Sequence, residues 1–134
     1  MINKKLIKNA KKIDSFLIKF LKKQKKSLLI EPMKYGIISG GKKIRSTIIF
    51  DTGKIFDISE KKLLNICAAV ECIHSYSLIH DDLPCMDNDL IRRGKPSTHI
   101  KYGEASAVLA GSSLLTLAFE IIADKEYLLN SKLK

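Results

Sequence analysis

Between Glu60 and His80 the chain is apolar on almost every side: Leu63, Leu64, Ile66, Ala68, Ala69, Val70, Ile73, Leu78 and Ile79 leave no consistently polar face. A segment of that length without strict alternation reads as a helix, and a helix apolar nearly all round has to be wrapped by others. Its polar residues, Glu71, His74, Ser75, Tyr76 and Ser77, then require partners or a ligand. The flanking sequence supplies the wrapping. Residues 3–26 read as an amphipathic helix, with Leu6, Ala10, Ile13, Leu17 and Leu21 at helical spacing and lysines between them. A second helix is expected from Glu31-Pro32 to the Gly40-Gly41 pair, and a third from Lys42 to Phe56 with Ile44, Ile48, Ile49 and Ile55 inward. Asp57-Ile58-Ser59 reads as a turn, with Ser59 as the N-cap before Glu60. Leu83–Pro96 is the least regular stretch, and helix resumes from about Tyr102 to Asp124. No alternating strand pattern, βαβ unit or internal repeat occurs, so the fold class is all-α, in one domain of 134 residues.

Composition narrows the function classes. With 46% apolar and 28% charged residues the chain has the make-up of a folded domain. The longest uncharged apolar stretch, Ala105–Phe119, is 15 residues and is interrupted by Gly111, Ser112, Ser113 and Thr116, so no transmembrane segment is expected. No signal-peptide pattern opens the chain, and Cys67, Cys72 and Cys85 fit free thiols in a reducing cytosol, which makes a cytoplasmic location the expectation. The net charge of +10 is concentrated at the N-terminus, where residues 1–30 hold ten lysines against Asp14 alone. That basic segment, 1–26 in its helical part, has no arginine and only two phenylalanines, so no nucleic-acid partner is expected and a solvated lysine face is. All but three of the 24 basic residues are lysine. Arg45, Arg92 and Arg93 keep the planar fork that grips phosphate or carboxylate through paired hydrogen bonds.

The richest chemistry follows the apolar helix. His74 is succeeded by His80-Asp81-Asp82-Leu83-Pro84-Cys85-Met86-Asp87-Asn88-Asp89, and then by Arg92-Arg93. Four carboxylates within nine residues repel one another, and a divalent cation relieves that repulsion. Mg²⁺ suits such oxygens, taking one or two carboxylates together with phosphate oxygens of a substrate. With the arginines the set describes a diphosphate site. His74 and Asp81, seven residues apart, share a helix side at a separation of ~10 Å, the spacing of neighbouring subsites. Asp81 and Asp87 would point ~120° apart on an unbroken helix, but Pro84 makes a break expected, able to swing Asp87 back beside Asp81 and Asp82. A solvated loop or a weak Ca²⁺ site is the plainer reading of the same acids. An EF-hand lacks its glycine and closing glutamate, a His-Asp phosphohydrolase centre lacks its spaced histidines, and zinc on the cysteines and His74 has the wrong spacing.

A second constellation is Gly40-Gly41-Lys42-Lys43-Ile44-Arg45. Two glycines before a helix expose backbone N–H groups, and Lys42 and Arg45, three apart, are expected to share a face just beyond them. The arrangement suits an anion, although it is also an ordinary exposed turn, and it lacks the spacing of a nucleotide P-loop.

The segments GGKKIRS (40–46), HSYSLIHDDLPCMDNDLIRRGKPSTH (74–99) and YGEASAVLAGSSLLTLAFE (102–120) closely resemble bacterial trans-prenyltransferases of the farnesyl diphosphate synthase type, in the polyprenyl synthetase family. The resemblance covers residues 30–123 and implies the N-terminal half of the isoprenoid synthase helical bundle, a single truncated domain over 1–134. It implies that Asp81, Asp82 and Asp87 hold Mg²⁺ against an allylic diphosphate (dimethylallyl or geranyl) that Arg92 also binds. Lys42, Arg45, His74 and Arg93 would take isopentenyl diphosphate. Tyr76 resembles the bulky residue that limits the product to C15. The sequence departs from the family pattern at Ser46, usually proline, at Ser112, usually aspartate, and at Asn88. A second aspartate-rich motif, which the family carries further along, does not occur by Lys134. The resemblance therefore leads to the expectation of a partner, a homodimer or a complementing C-terminal half, and of poor turnover by this chain alone; the alternative is an inactive remnant or non-catalytic subunit.

Overall fold

The computed structural model describes residues 2–38 and 40–123, the side chains from Lys4 onward. Its elements are α1 (Ile2–Lys23), α2 (Ile30–Ile37), α3 (Ile44–Ile55), α4 (Glu60–Asp81), β1 (Ile91–Arg92), β2 (Lys95–Pro96), α5 (Thr98–Tyr102) and α6 (Glu104–Ala123). The class is all-α, with one short ribbon.

Helix α4 is the axis of the molecule, with α1, α2, α3 and α6 packed round it, as its apolar circumference requires. On α1 the i, i+4 stripe Ile13, Leu17 and Leu21 is fully buried and Phe16 and Phe20 flank it, which leaves the lysines outward. The largest contact joins α4 to α6, and the buried residues of both helices include small side chains: Ala68, Ala69 and Cys72 on α4, and Ala107, Ala110, Gly111 and Ala118 on α6. A β-carbon at Gly111 would collide with the His80 ring, whose Nε2 donates to the Val108 carbonyl at 3.0 Å. By length and composition α6 meets the requirement for a membrane span that its uncharged run alone falls short of; in this fold Ala107, Ala110, Leu114, Leu117 and Ile121 sit in the core. Cys67 and Cys72 are buried and Cys85 is exposed, all as free thiols.

Five local expectations are corrected. In α3 the isoleucines do not face inward: Ile44, Ile48 and Ile55 are 54%, 60% and 77% exposed, Ile49 is half-buried, and Ser46, Thr47, Phe50 and Gly53 form the inner face. Gly53 admits Leu63 of α4 against bare backbone, and the two inward hydroxyls find partners in Glu71 and Asn9. Helix α2 ends at Ile37 and α3 starts at Ile44, so the glycine loop is longer than expected. Ser59 occupies the N-cap position of α4 but makes no side-chain capping bond. The irregular stretch closes as an antiparallel hairpin, Ile91 opposite Pro96 and Arg92 opposite Lys95. Arg93 and Gly94 at its tip both have positive φ (53° and 75°), the handedness of a two-residue mirror-image turn. Strands of two residues are too short to show alternation, which hid them. The short helix α5 precedes Gly103 (φ 86°), and that residue sets the start of α6 two positions beyond Tyr102. Asp124 lies outside the described residues.

Candidate diphosphate site

The acidic turn begins where α4 runs out. Pro84 cannot continue the helix, and the chain folds back so that the Asp87 N–H donates to the Asp81 carbonyl at 2.9 Å while the Asn88 N–H donates to Leu83 at 3.1 Å. Asn88 takes a left-handed conformation (φ 53°) that asparagine tolerates well. The turn thus returns Asp87 to Asp81. Asp82 goes elsewhere. Its side chain is 3% exposed and receives the Arg92 Nε at 2.7 and 2.8 Å and Nη2 at 2.5 Å. A carboxylate buried that deeply requires a counter-charge, and Arg92 supplies it in bidentate form. Donating to the Asp82 carboxylate in turn holds the Arg92 guanidinium above its ordinary pKa. Asp89 stands 3.7 Å from Arg92 at the rim.

Two turns earlier on α4 lies the second cluster. Arg45 Nη1 approaches His74 Nε2 at 3.4 Å, so the imidazole accepts and is neutral in that contact. Burial first, then the positive charge of Arg45, push His74 below its usual pKa, with Arg93 and Lys43 adding to the effect. Arg93 Nη1 donates to the Gly40 carbonyl, and its guanidinium lies against Gly41, where a β-carbon would sit 2.6 Å from Nη1. Arg45, His74, Arg93 and the glycine pair therefore form one group. Lys42 does not share the α3 face with Arg45. It precedes the helix, is exposed, and lines a cleft of about 370 Å³ with Leu6, Ile7, Ala10, Lys11, Asp14 and Gly41.

Sequence reasoning marked Glu71 as a polar residue in need of a partner but missed what it meets. Lys43, expected in the first turn of the third helix or in an exposed turn, is buried: its ammonium donates to the Ile37 carbonyl at 2.9 Å and lies 3.3 Å from Glu71 and 3.7 Å from Asp14. Glu71 also accepts from Ser46 Oγ at 2.7 Å. Burial raises the pKa of Asp14, and Lys43 opposes that rise. No periodicity separates Lys42 from Lys43; the left-handed backbone at Lys43 (φ 47°) does.

Among the described residues, no three His, Cys, Asp or Glu side chains converge as a complete metal site. The expected triad is thus divided: Asp82 is committed to Arg92, and Asp81 and Asp87 are joined through their backbones. Half-buried Asp81 and exposed Asp87 offer the hard oxygens that Mg²⁺ accepts, with its remaining positions left to water and phosphate, so the donor chemistry fits.

The sequence profile of the polyprenyl synthetase family matches residues 26–133, four-fifths of the chain. This chain belongs to that family. It is similar to farnesyl diphosphate synthases of Buchnera aphidicola from Acyrthosiphon pisum, at 54% identity over 74% of the chain and 35% of the relative, and of Escherichia coli, at 53% over 73% and 33%. Among solved structures it is similar to an FPP/GFPP synthase from Zymomonas mobilis, with a TM-score of 0.86 and 42% identity over 92% of this chain and 45% of that one. The chain thus spans about a third of the length of the curated relatives and under half of the solved structure. At Ser46, where the resemblance leads to the expectation of proline, the hydroxyl holds Glu71, a hydrogen bond for which a proline side chain has no donor.

Proposed function

We propose that this chain serves prenyl transfer: the Mg²⁺-dependent condensation of isopentenyl diphosphate with an allylic diphosphate, dimethylallyl or geranyl, to give farnesyl diphosphate and pyrophosphate. The observation that carries the reading is the pair of consecutive arginines. Arg92 engages the acidic turn through Asp82, and Arg93, turned by its left-handed backbone, engages the glycine loop beside Arg45 and His74. One hairpin therefore joins a cation-seeking acidic turn to an anion-seeking basic cluster, which α4 spaces by ~10 Å, as a metal-held diphosphate beside a second diphosphate would need.

Asp81 and Asp87, with Asp82 as the third carboxylate, are the proposed magnesium ligands; when bound, the metal neutralises charge on the diphosphate leaving group. Arg92 donates hydrogen bonds to the same diphosphate. Arg45, Arg93, Lys42 and neutral His74 bind and orient isopentenyl diphosphate. The allylic C–O bond breaks with its electron pair going to the departing diphosphate, the isopentenyl π bond becomes the new C–C bond, and a proton leaves to the released pyrophosphate. Fixed donors aimed at a developing anion suit that task, and no protein nucleophile is required. Tyr76, half-buried and edge-on to His80 at 4.7 Å, is the proposed limit on product length at C15.

Incubating the full chain with both diphosphates and MgCl₂, with and without a polypeptide corresponding to the remaining length of the matched structures, tests the reading. A C15 product is expected with that polypeptide present; an inert mixture overturns it. Binding of diphosphate without turnover in either mixture would leave the alternative, a non-catalytic diphosphate-binding chain. A homodimer or the complementing half as partner, and a cytoplasmic site of action, belong to the same proposal, and sedimentation velocity on the chain alone and in the mixture checks the partner.

A further inference from the structure

Lys43 touches neither cluster, yet four elements converge on it. Its ammonium joins the C-terminal carbonyl of α2, Glu71 of α4 and Asp14 of α1, while its own backbone forms the N-cap of α3. The loop it closes carries Gly40, Gly41 and Lys42, and the first turn it starts carries Arg45 and Ser46. Ser46 returns to the same Glu71, so both sides of the α3 N-terminus are tied to one carboxylate. Gly40, with nothing within 4 Å of its β position, and Gly41 cannot fix the loop themselves; both sit at positive φ (93° and 106°), where glycine has broad freedom. The loop is therefore held at two points, by Arg93 on the Gly40 carbonyl and by Lys43 inside the core.

We propose that Lys43, through its buried pair with Glu71, is a positioning residue that sets the Gly40–Arg45 segment for diphosphate binding without touching the diphosphate. The proposal deepens the prenyl-transfer reading and rests on it for the identity of the ligand. It separates two adjacent lysines into different roles: Lys42 faces solvent and any anion, and Lys43 faces the core.

The test uses the full chain and inorganic pyrophosphate. Lys43→Met combined with Glu71→Gln removes one buried charge of each sign, so the net charge seen by the anion is unchanged. That variant is expected to keep its helical circular dichroism and cooperative unfolding, to bind pyrophosphate at least tenfold more weakly by calorimetry, and to exchange its Gly41–Arg45 amides at least tenfold faster. Amides of Ala110–Leu117 in α6 keep their protection. Glu71→Gln alone keeps an acceptor for Ser46 but leaves the buried Lys43 ammonium with Asp14 as its remaining carboxylate, so it is expected to lose more stability than the double variant and to shift both readouts in the same direction. Wild-type affinity together with wild-type exchange in the stably folded double variant overturns the proposal. Should the double variant not fold, the same two readouts on Glu71→Gln decide it. A wild-type chain that ignores pyrophosphate overturns the diphosphate reading, and the exchange measurement then decides the positioning on its own.

Discussion

At the residue scale, the Asp82–Arg92 pair is asymmetric, because Asp82 is 3% exposed and Arg92 27%. Removing the arginine strands a carboxylate in the interior; removing the carboxylate leaves a guanidinium that water can reach. Arg92→Met is therefore expected to cost about 3 kcal/mol and Asp82→Asn about 1 kcal/mol, read as urea denaturation midpoints. Equal losses would refute the burial argument. His74 gives a pH signature. Its folded pKa lies below the ordinary 6.5, so just below pH 6.5 the unfolded chain binds more protons than the folded one. Stability is then expected to fall as pH drops through 6.5 toward the lowered value, with no contribution from His74 above it. Denaturation midpoints at pH 7.5 and 5.5 should differ less in His74→Gln than in the wild type.

At the scale of elements, the two glycines of the loop before α3 separate two effects. Gly41→Ala meets both a positive φ and the Arg93 guanidinium; Gly40→Ala meets the positive φ in open space. Each is expected to lose about 1–2 kcal/mol of stability from backbone conformation. Only Gly41→Ala should also weaken pyrophosphate binding, as calorimetry on both variants would register. The elements themselves were largely legible in the sequence: α1, the interior α4 and its acidic end follow from apolar spacing and from Pro84. The inner face of α3 was not, because its isoleucine stripe competes with Ser46, Thr47, Phe50 and Gly53, and the decision falls to Leu63, Asn9 and Glu71 on other helices. The hairpin was not legible either, since its only signal is the handedness of Arg93-Gly94. Of the site, the sequence placed Asp87 by Asp81, where the turn's backbone brings it, and named Lys42, Arg45, His74 and Arg93 together, of which Arg45 meets His74 and Arg93 meets the glycine pair. It could not see that Asp82 would face Arg92, nor that the lysine carrying the loop would be the second of two.

For the molecule as a whole, the +10 charge contributes little to holding the fold. The cross-helix pairs of α1, Lys5 with Asp51 and Lys12 with Glu60, are largely solvated, and such pairs are worth about 0–1 kcal/mol each. The buried stripe of α1 secures the helix instead. The acidic turn and the basic cluster differ in their proposed need for metal, which gives a test on the chain as it stands. Chelation of magnesium is expected to abolish uptake of an allylic diphosphate while isopentenyl diphosphate still binds; in Asp81→Asn and Asp87→Asn the same split should appear with the metal present. Parallel loss of both ligands on chelation would argue for one shared seat. The thiols offer a way to watch this happen. Burial pushes Cys67 and Cys72 up to about 12, which leaves both inert near neutral pH, whereas Cys85 stands exposed inside the acidic turn between Asp82 and Asp87. An alkylating fluorophore should thus mark a single atom of the native chain without any engineering, and its emission would report on the one stretch where metal and leaving group are expected to meet.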